Sequence, residues 1–200
     1  MSQTIARWAV TPYTGRRMER LIKRSTLACL LFTLFFSAPA SGTVFLSVDE
    51  ALKLAFPNCV IKRLTVFLTK DQMARVQELA GQQVQSALVN PYVATREGKT
   101  VGVAYFDTHR VRTQQEVILV AIDPDDRILR VETLAFSEPR EYLPRSEWFQ
   151  LFRGHKLGDD LRIKRTIRNV TGATITARVV TDTVRRTLAL HLVLKARLMP

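Results

Sequence analysis

The 200-residue chain carries 30 Lys and Arg against 18 Asp and Glu, a formal charge of +12, with 46% apolar residues and only 8 Gly and 8 Pro. That balance excludes a disordered, collagen-like or low-complexity chain. Two cysteines, Cys29 and Cys59, are too few for a disulfide scaffold, and about 160 residues suffice for one core without staples.

Residues 1–26 hold Arg7, Arg16, Arg17, Arg20, Lys23 and Arg24 against one acid, Glu19. The apolar run Leu27 to Phe36 follows, then the small-residue pattern Ser37-Ala38-Pro39-Ala40. This reads as a bacterial secretory signal cleaved after Ala40 or Gly42, because ten apolar residues are too few to span a bilayer. The expected organisation is a signal peptide over residues 1–42 and one domain over 43–200, placed in the periplasm or otherwise outside the cytoplasm. Cys29 leaves with the signal, so Cys59 is expected as a lone, small, buried apolar residue. The remaining basic excess suits anionic partners and permits peripheral membrane association. No Lys/Arg block with interleaved aromatics points to nucleic acid.

Ser47-Val48-Asp49-Glu50 forms a capping box that opens a helix running through Phe56, stopped by Pro57. Cys59 to Leu68 reads as one strand. Thr69, with Gln72 three residues on, caps a second helix that buries Met73, Val76 and Leu79 and ends at Gly81. Strands are expected over Tyr92–Thr95, Val101–Phe106, Glu116–Ile122 and Ile128–Phe136, with turns at 96–99 and 123–126. Short links favour antiparallel pairing. Pro144 to Phe152 reads as a helix and Gly154 to Asp160 as a loop. A final helix runs from about Thr176 to Lys195, its stripe Val180, Val184, Leu188 and Leu192 facing a core. The fold class is α+β: an antiparallel sheet with helices packed against it.

Before that last helix lies Arg168-Asn169-Val170-Thr171-Gly172-Ala173-Thr174-Ile175-Thr176-Ala177-Arg178. Three threonine hydroxyls surround Gly172 and Ala173, which are too small to obstruct a ligand. Gly172 can adopt positive φ, and the helix start offers unpaired N–H groups and a positive dipole end to a phosphate. Arg168 and Arg178 add charge on either side. A phosphoryl group could be bound here or attached to a hydroxyl.

Thr171-Gly172-Ala173-Thr174-Ile175-Thr176 resembles the flavinylation motif Ser/Asp-Gly-Ala-Thr-x-Ser of FMN-binding domains, such as the flavin-carrying subunits of Rnf and Na⁺-pumping NADH:quinone oxidoreductase complexes. The similarity continues through Trp148 to Gly154, Asp160-Leu161, Ile167 and Thr181 to Leu190, and less closely through Leu68-Thr69-Lys70, Phe106-Asp107 and Val131-Glu132 to Phe136. In that family FMN is joined to the motif threonine by a phosphoester bond, transferred from FAD outside the cytoplasm by an Mg²⁺-dependent FAD:protein FMN transferase. The resemblance implies Thr174 as the attachment site, with Thr171, Gly172, Ala173, Ile175 and Thr176 as cofactor-binding residues. Thr171 and Thr176 depart from the family's usual Ser or Asp and Ser, yet each keeps a hydroxyl. Tyr142, Trp148 and Phe152 are implied as neighbours of the ring.

The resemblance implies an exported electron carrier that relays electrons between redox partners of the cell envelope, rather than an enzyme with its own catalytic residues. Two alternatives stand beside it. One is an exported basic binding module without cofactor, in which Thr174 caps a helix; the other is a flavin-dependent reductase of a small periplasmic substrate. His109, His155 and His191 lack ligand-like spacing, so no metal site is expected. Asp123, Asp125 and Asp126 read as a turn, and Arg185-Arg186 as a solvated helix face.

Overall fold

The computed structural model describes residues 42–158 and 160–199; the signal-peptide reading of the N-terminus therefore lies outside the described residues. Thr43–Val44 forms β1, Val48–Ala55 α1, Val60–Arg63 β2, Val66–Phe67 β3, Lys70–Ala80 α2 and Leu88–Val89 β4. Tyr92–Arg96 (β5), Lys99–Arg110 (β6), Gln115–Ile122 (β7) and Ile128–Phe136 (β8) follow. Ser146–Phe149 (α3) continues into a 3-10 turn, Gln150–Phe152, and Thr174–Leu198 is the 25-residue α4. The fold is the α+β arrangement expected: an antiparallel sheet in the order β1-β8-β7-β6-β5-β2, with helices on both faces and a small β3-β4 ribbon beside it.

Local chemistry sets the element boundaries. Ser47 and Glu50 exchange both hydrogen bonds of a capping box at α1, Thr69 and Gln72 do the same at α2, and Gly81 closes α2 at φ 74°. The β5-β6 hairpin turns on Glu97 and Gly98, both at positive φ, which matches the right-handed twist of the flanking strands. The segment read as one strand from Cys59 divides in two. The Leu64 N–H donates to Pro91 O, and Val66–Phe67 leaves the main sheet to pair with Leu88–Val89.

Two-residue alternation sorts β6 between two cores. Val103 and Tyr105 face α4 together with Ile118 and Val120 of β7, whereas Ala104 faces α1 with Leu119 and Ala121. Strand β7 is therefore apolar on both faces. Gly102 is the close-approach point under α1: a Cβ there would stand 2.6 Å from both the Phe56 ring and Ile122 O.

Along α4, Val180, Val184 and Leu188 are buried as expected, but Leu192 is 38% exposed. A four-residue spacing on a helix of 3.6 residues per turn advances about 40° per step, so the fourth member lies about 120° from the first. His191 and Leu194 take over the inward positions. Arg185-Arg186 is not a solvated face: Arg185 is buried and donates to Gly158 O and Leu161 O, and Arg186 reaches Asp107 and Gln82. Cys59 is half-exposed rather than buried, because β2 lies at the sheet edge.

Candidate functional site

The motif forms a tight turn into α4. The Ala173 N–H donates to Val170 O at 3.1 Å, and Gly172 sits at φ 85°, where a side chain is strained although an added Cβ would meet only Glu141 O at 3.9 Å. Helix α4 begins at Thr174, two residues earlier than the sequence pattern suggests, with Ala173 as its N-cap and no side-chain capping bond. Alanine has no oxygen to offer, so the first-turn N–H groups have neither a helical acceptor nor a side-chain cap.

The threonines have three different environments. Thr174 is half-buried; its hydroxyl donates to Val170 O at 3.2 Å and accepts from Asn169 Nδ2 at 3.3 Å, so it bonds back into the turn and is not a cap. Thr171 is exposed. Thr176 is buried, and its hydroxyl donates to Tyr142 O at 2.6 Å, tying α4 to the segment before α3.

Two hollows flank the turn, with Ala173 on the rim of both. The larger, about 860 Å³, is bordered by Arg140, Leu143, Arg145, Trp148, Arg168 and Thr171 among others. The smaller, about 310 Å³, is bordered by Arg112, Tyr142, Gly172, Thr174, Ile175 and Thr176. Both sizes fall within the roughly 300–1,000 Å³ usual for ligand pockets. Trp148 is fixed in its wall: the indole N–H donates to Arg168 O at 2.6 Å and the ring packs edge-on against Phe149 and Phe152. Of the expected ring neighbours, Trp148 and Tyr142 border hollows, but Phe152 is fully buried in the core and borders neither. Arg168 borders the larger hollow; Arg178 is exposed and borders neither.

Sequence reading missed Arg112 and Glu138. Arg112 lies in the β6-β7 loop with its guanidinium 4.3 Å from the centre of the Tyr142 ring. Glu138 Oε1 accepts from the Thr113 N–H, the Thr113 hydroxyl and the Gln114 N–H at 2.6, 3.1 and 2.8 Å, fixing that loop. Those backbone donors hold the Glu138 carboxyl below its ordinary value, with Arg112 acting in the same sense. No sequence pattern announces a loop arginine and a distant carboxylate as one unit.

Under α4 lie two buried polar groups. His109 bonds Asp107 at 3.0 Å and Glu116 at 3.2 Å, Thr133 donates to Glu116 at 3.0 Å, and Arg186 donates to Asp107 at 2.9 Å. Burial works against charge on His109, but the Asp107 and Glu116 carboxylates prevail and raise it above the usual histidine value. Burial likewise opposes ionisation of Asp107, yet His109 and Arg186 hold it low. Further along, His191 Nδ1 meets the Tyr105 hydroxyl at 3.1 Å; burial lowers His191 to about 4, although Asp126 pulls the other way. Among the described residues no group of three or more His, Cys, Asp or Glu is placed to hold a metal ion.

Residues 114–189 match the model of the FMN-binding domain family. That span covers β7, β8, α3, the motif turn and the first 16 residues of α4. Among solved structures the chain is similar to NqrC of Shewanella oneidensis, at a TM-score of 0.52 and 16% identity over 69% of this chain and 83% of that one. At that identity the likeness is one of fold. No curated protein matches the chain.

Proposed function

We propose, from the match of residues 114–189 to the FMN-binding domain family, that this protein is an exported electron carrier whose FMN is joined to Thr174 through a phosphoester. The observation that carries this reading is the position of Thr174: a half-buried residue rather than one sealed in the core, it opens α4 and borders a hollow that shares a rim with a larger one.

The residues present fit the group. Gly172 and Ala173 keep side-chain bulk away from the turn, and the uncapped first turn of α4 presents N–H groups with the positive end of the helix dipole behind them. Thr174 must release its hydrogen bond to Val170 O for its oxygen to bond phosphorus. Trp148 supplies an indole wall to the larger hollow, and Arg140, Arg145 and Arg168 outnumber Glu141 and Glu147 on its border, a balance that favours the added electrons of a reduced flavin. A bound flavin supplies one- and two-electron transfer; the protein supplies placement and electrostatics. Loading requires an FAD:protein FMN transferase, and turnover requires redox partners in the envelope. The basic N-terminal segment and the apolar run after it support the exported location.

Intact mass tests the reading. Full-length protein coexpressed with an FAD:protein FMN transferase should gain the mass of FMN less water and become yellow. An unchanged mass would overturn covalent attachment and favour a basic binding module.

A further inference from the structure

We propose that Arg112 is a phosphate-binding residue for the diester at Thr174, an inference that rests on the covalent reading above. Arg112 precedes the residues matched by the family and is assigned no role by that match. Its guanidinium borders the same 310 Å³ hollow as Thr174. Among the described residues, that guanidinium makes no hydrogen bond or ion pair. It stacks on the Tyr142 ring 4.3 Å away, and its charge also acts on the Glu138 carboxylate, whose hydrogen bonds go to the loop backbone and Thr113. Stacking occupies the face of a guanidinium and leaves the in-plane N–H donors for an oxygen ligand.

The platform beneath it is rigid from both sides. The loop carrying Arg112 is closed by the Val111 N–H to Gln114 O bond at 3.0 Å and clamped by Glu138 through three hydrogen bonds. Tyr142, which supports the guanidinium, is tied through its own carbonyl to Thr176, two residues after the acceptor. Arginine and acceptor hydroxyl are thus held on one frame, and Glu138 spends its carboxylate on the loop backbone.

In the attachment step the Thr174 Oγ1–P bond forms and the pyrophosphate P–O bond of FAD breaks. AMP departs with the bridging oxygen, and the hydroxyl proton is released to water. The resulting diester keeps one negative charge. Arg112 offsets it with paired N–H donors, a geometry suited to phosphate oxygens.

The test compares the full-length wild type, Arg112→Ala and Arg112→Lys, each purified without flavin and incubated with FAD, Mg²⁺ and an FAD:protein FMN transferase. The readouts are the fraction carrying the FMN mass over time and the melting temperature of the unloaded protein. Arg112→Ala should load about tenfold more slowly or worse, with Arg112→Lys between it and wild type, as expected for loss of a charged hydrogen-bond donor. The unloaded melts should coincide, since the side chain is exposed. Arg112→Ala loading at the wild-type rate overturns the inference. So does equal slowing of both variants with a lowered melt, because that pattern belongs to a loop that no longer folds. A wild type that gains no mass removes the covalent reading and this inference with it, whereas normal wild-type loading matched by Arg112→Ala removes this inference alone.

Discussion

The Thr176 hydroxyl donates to the Tyr142 carbonyl at 2.6 Å, joining the first turn of α4 to the segment that supports Arg112. The bond is buried on the Thr176 side. Thr176→Val keeps the shape but leaves that carbonyl without its donor, which costs about 1–3 kcal/mol. Denaturant unfolding should show this loss. Mass-monitored loading should also slow, because the frame around Thr174 loosens.

Thr174→Ala should abolish covalent FMN while lowering stability by about 1 kcal/mol or less, since the residue is only half-buried. Thr174→Ser restores the nucleophilic oxygen and should recover attachment. Intact mass and thermal melts of the two variants check both halves of the statement.

Gly172→Ala meets no steric obstacle, yet it places a Cβ at φ 85°. The strain should cost about 1–2 kcal/mol. The turn then tilts away from its present geometry, so loading should fall along with the melting temperature. A melt equal to that of wild type would show that the turn relaxes freely.

The two buried histidines predict opposite pH limbs. His191 is held down to about 4, so between there and the ordinary value of about 6.5 the unfolded chain binds a proton that the native chain does not. Stability is therefore complete above about pH 6.5 and falls as pH drops toward 4, by up to about 3 kcal/mol. His109 is raised by Asp107 and Glu116, with Arg186 facing the same cluster. Its contribution is complete below about 6.5 and is lost as pH rises through its native value. Urea unfolding across pH 4 to 9 should show His191→Gln flattening the acid limb and His109→Gln the alkaline one.

Much of the frame was legible because it depends on local chemistry. Ser47 with Glu50, Thr69 with Gln72, and Gly81 each act within a few residues, and β5 to β8 carry two-residue alternation or unbroken apolar runs. The misreadings share a different cause. The split after Cys59 depends on Leu64 pairing with Pro91, and the burial of Arg185 and half-burial of Arg186 on carbonyl and carboxylate partners far away in sequence. Phe152 points into the core because α3 turns Trp148 and Phe152 into one aromatic cluster, of which only Trp148 reaches a hollow. Of the site, the motif residues were visible as a string, but not the separation of Thr171, Thr174 and Thr176 into three environments. Arg112 was invisible, since only the sheet brings the β6-β7 loop to the mouth of α4.

Helix α4 starts at the proposed acceptor and runs for 25 residues, pinned to the sheet by Val180, Val184 and Leu188 and by the polar bonds of Thr183, Arg186 and His191. An attachment point at its tip has no swinging arm: it moves only as the domain moves, and the freedom left to a bound flavin is that of its own ribityl-phosphate link. Any exchange of electrons with a second protein must then be won by how closely that protein seats against the mouth of the helix, so the rate will follow the fit of two rigid bodies and the screening of their charges by salt.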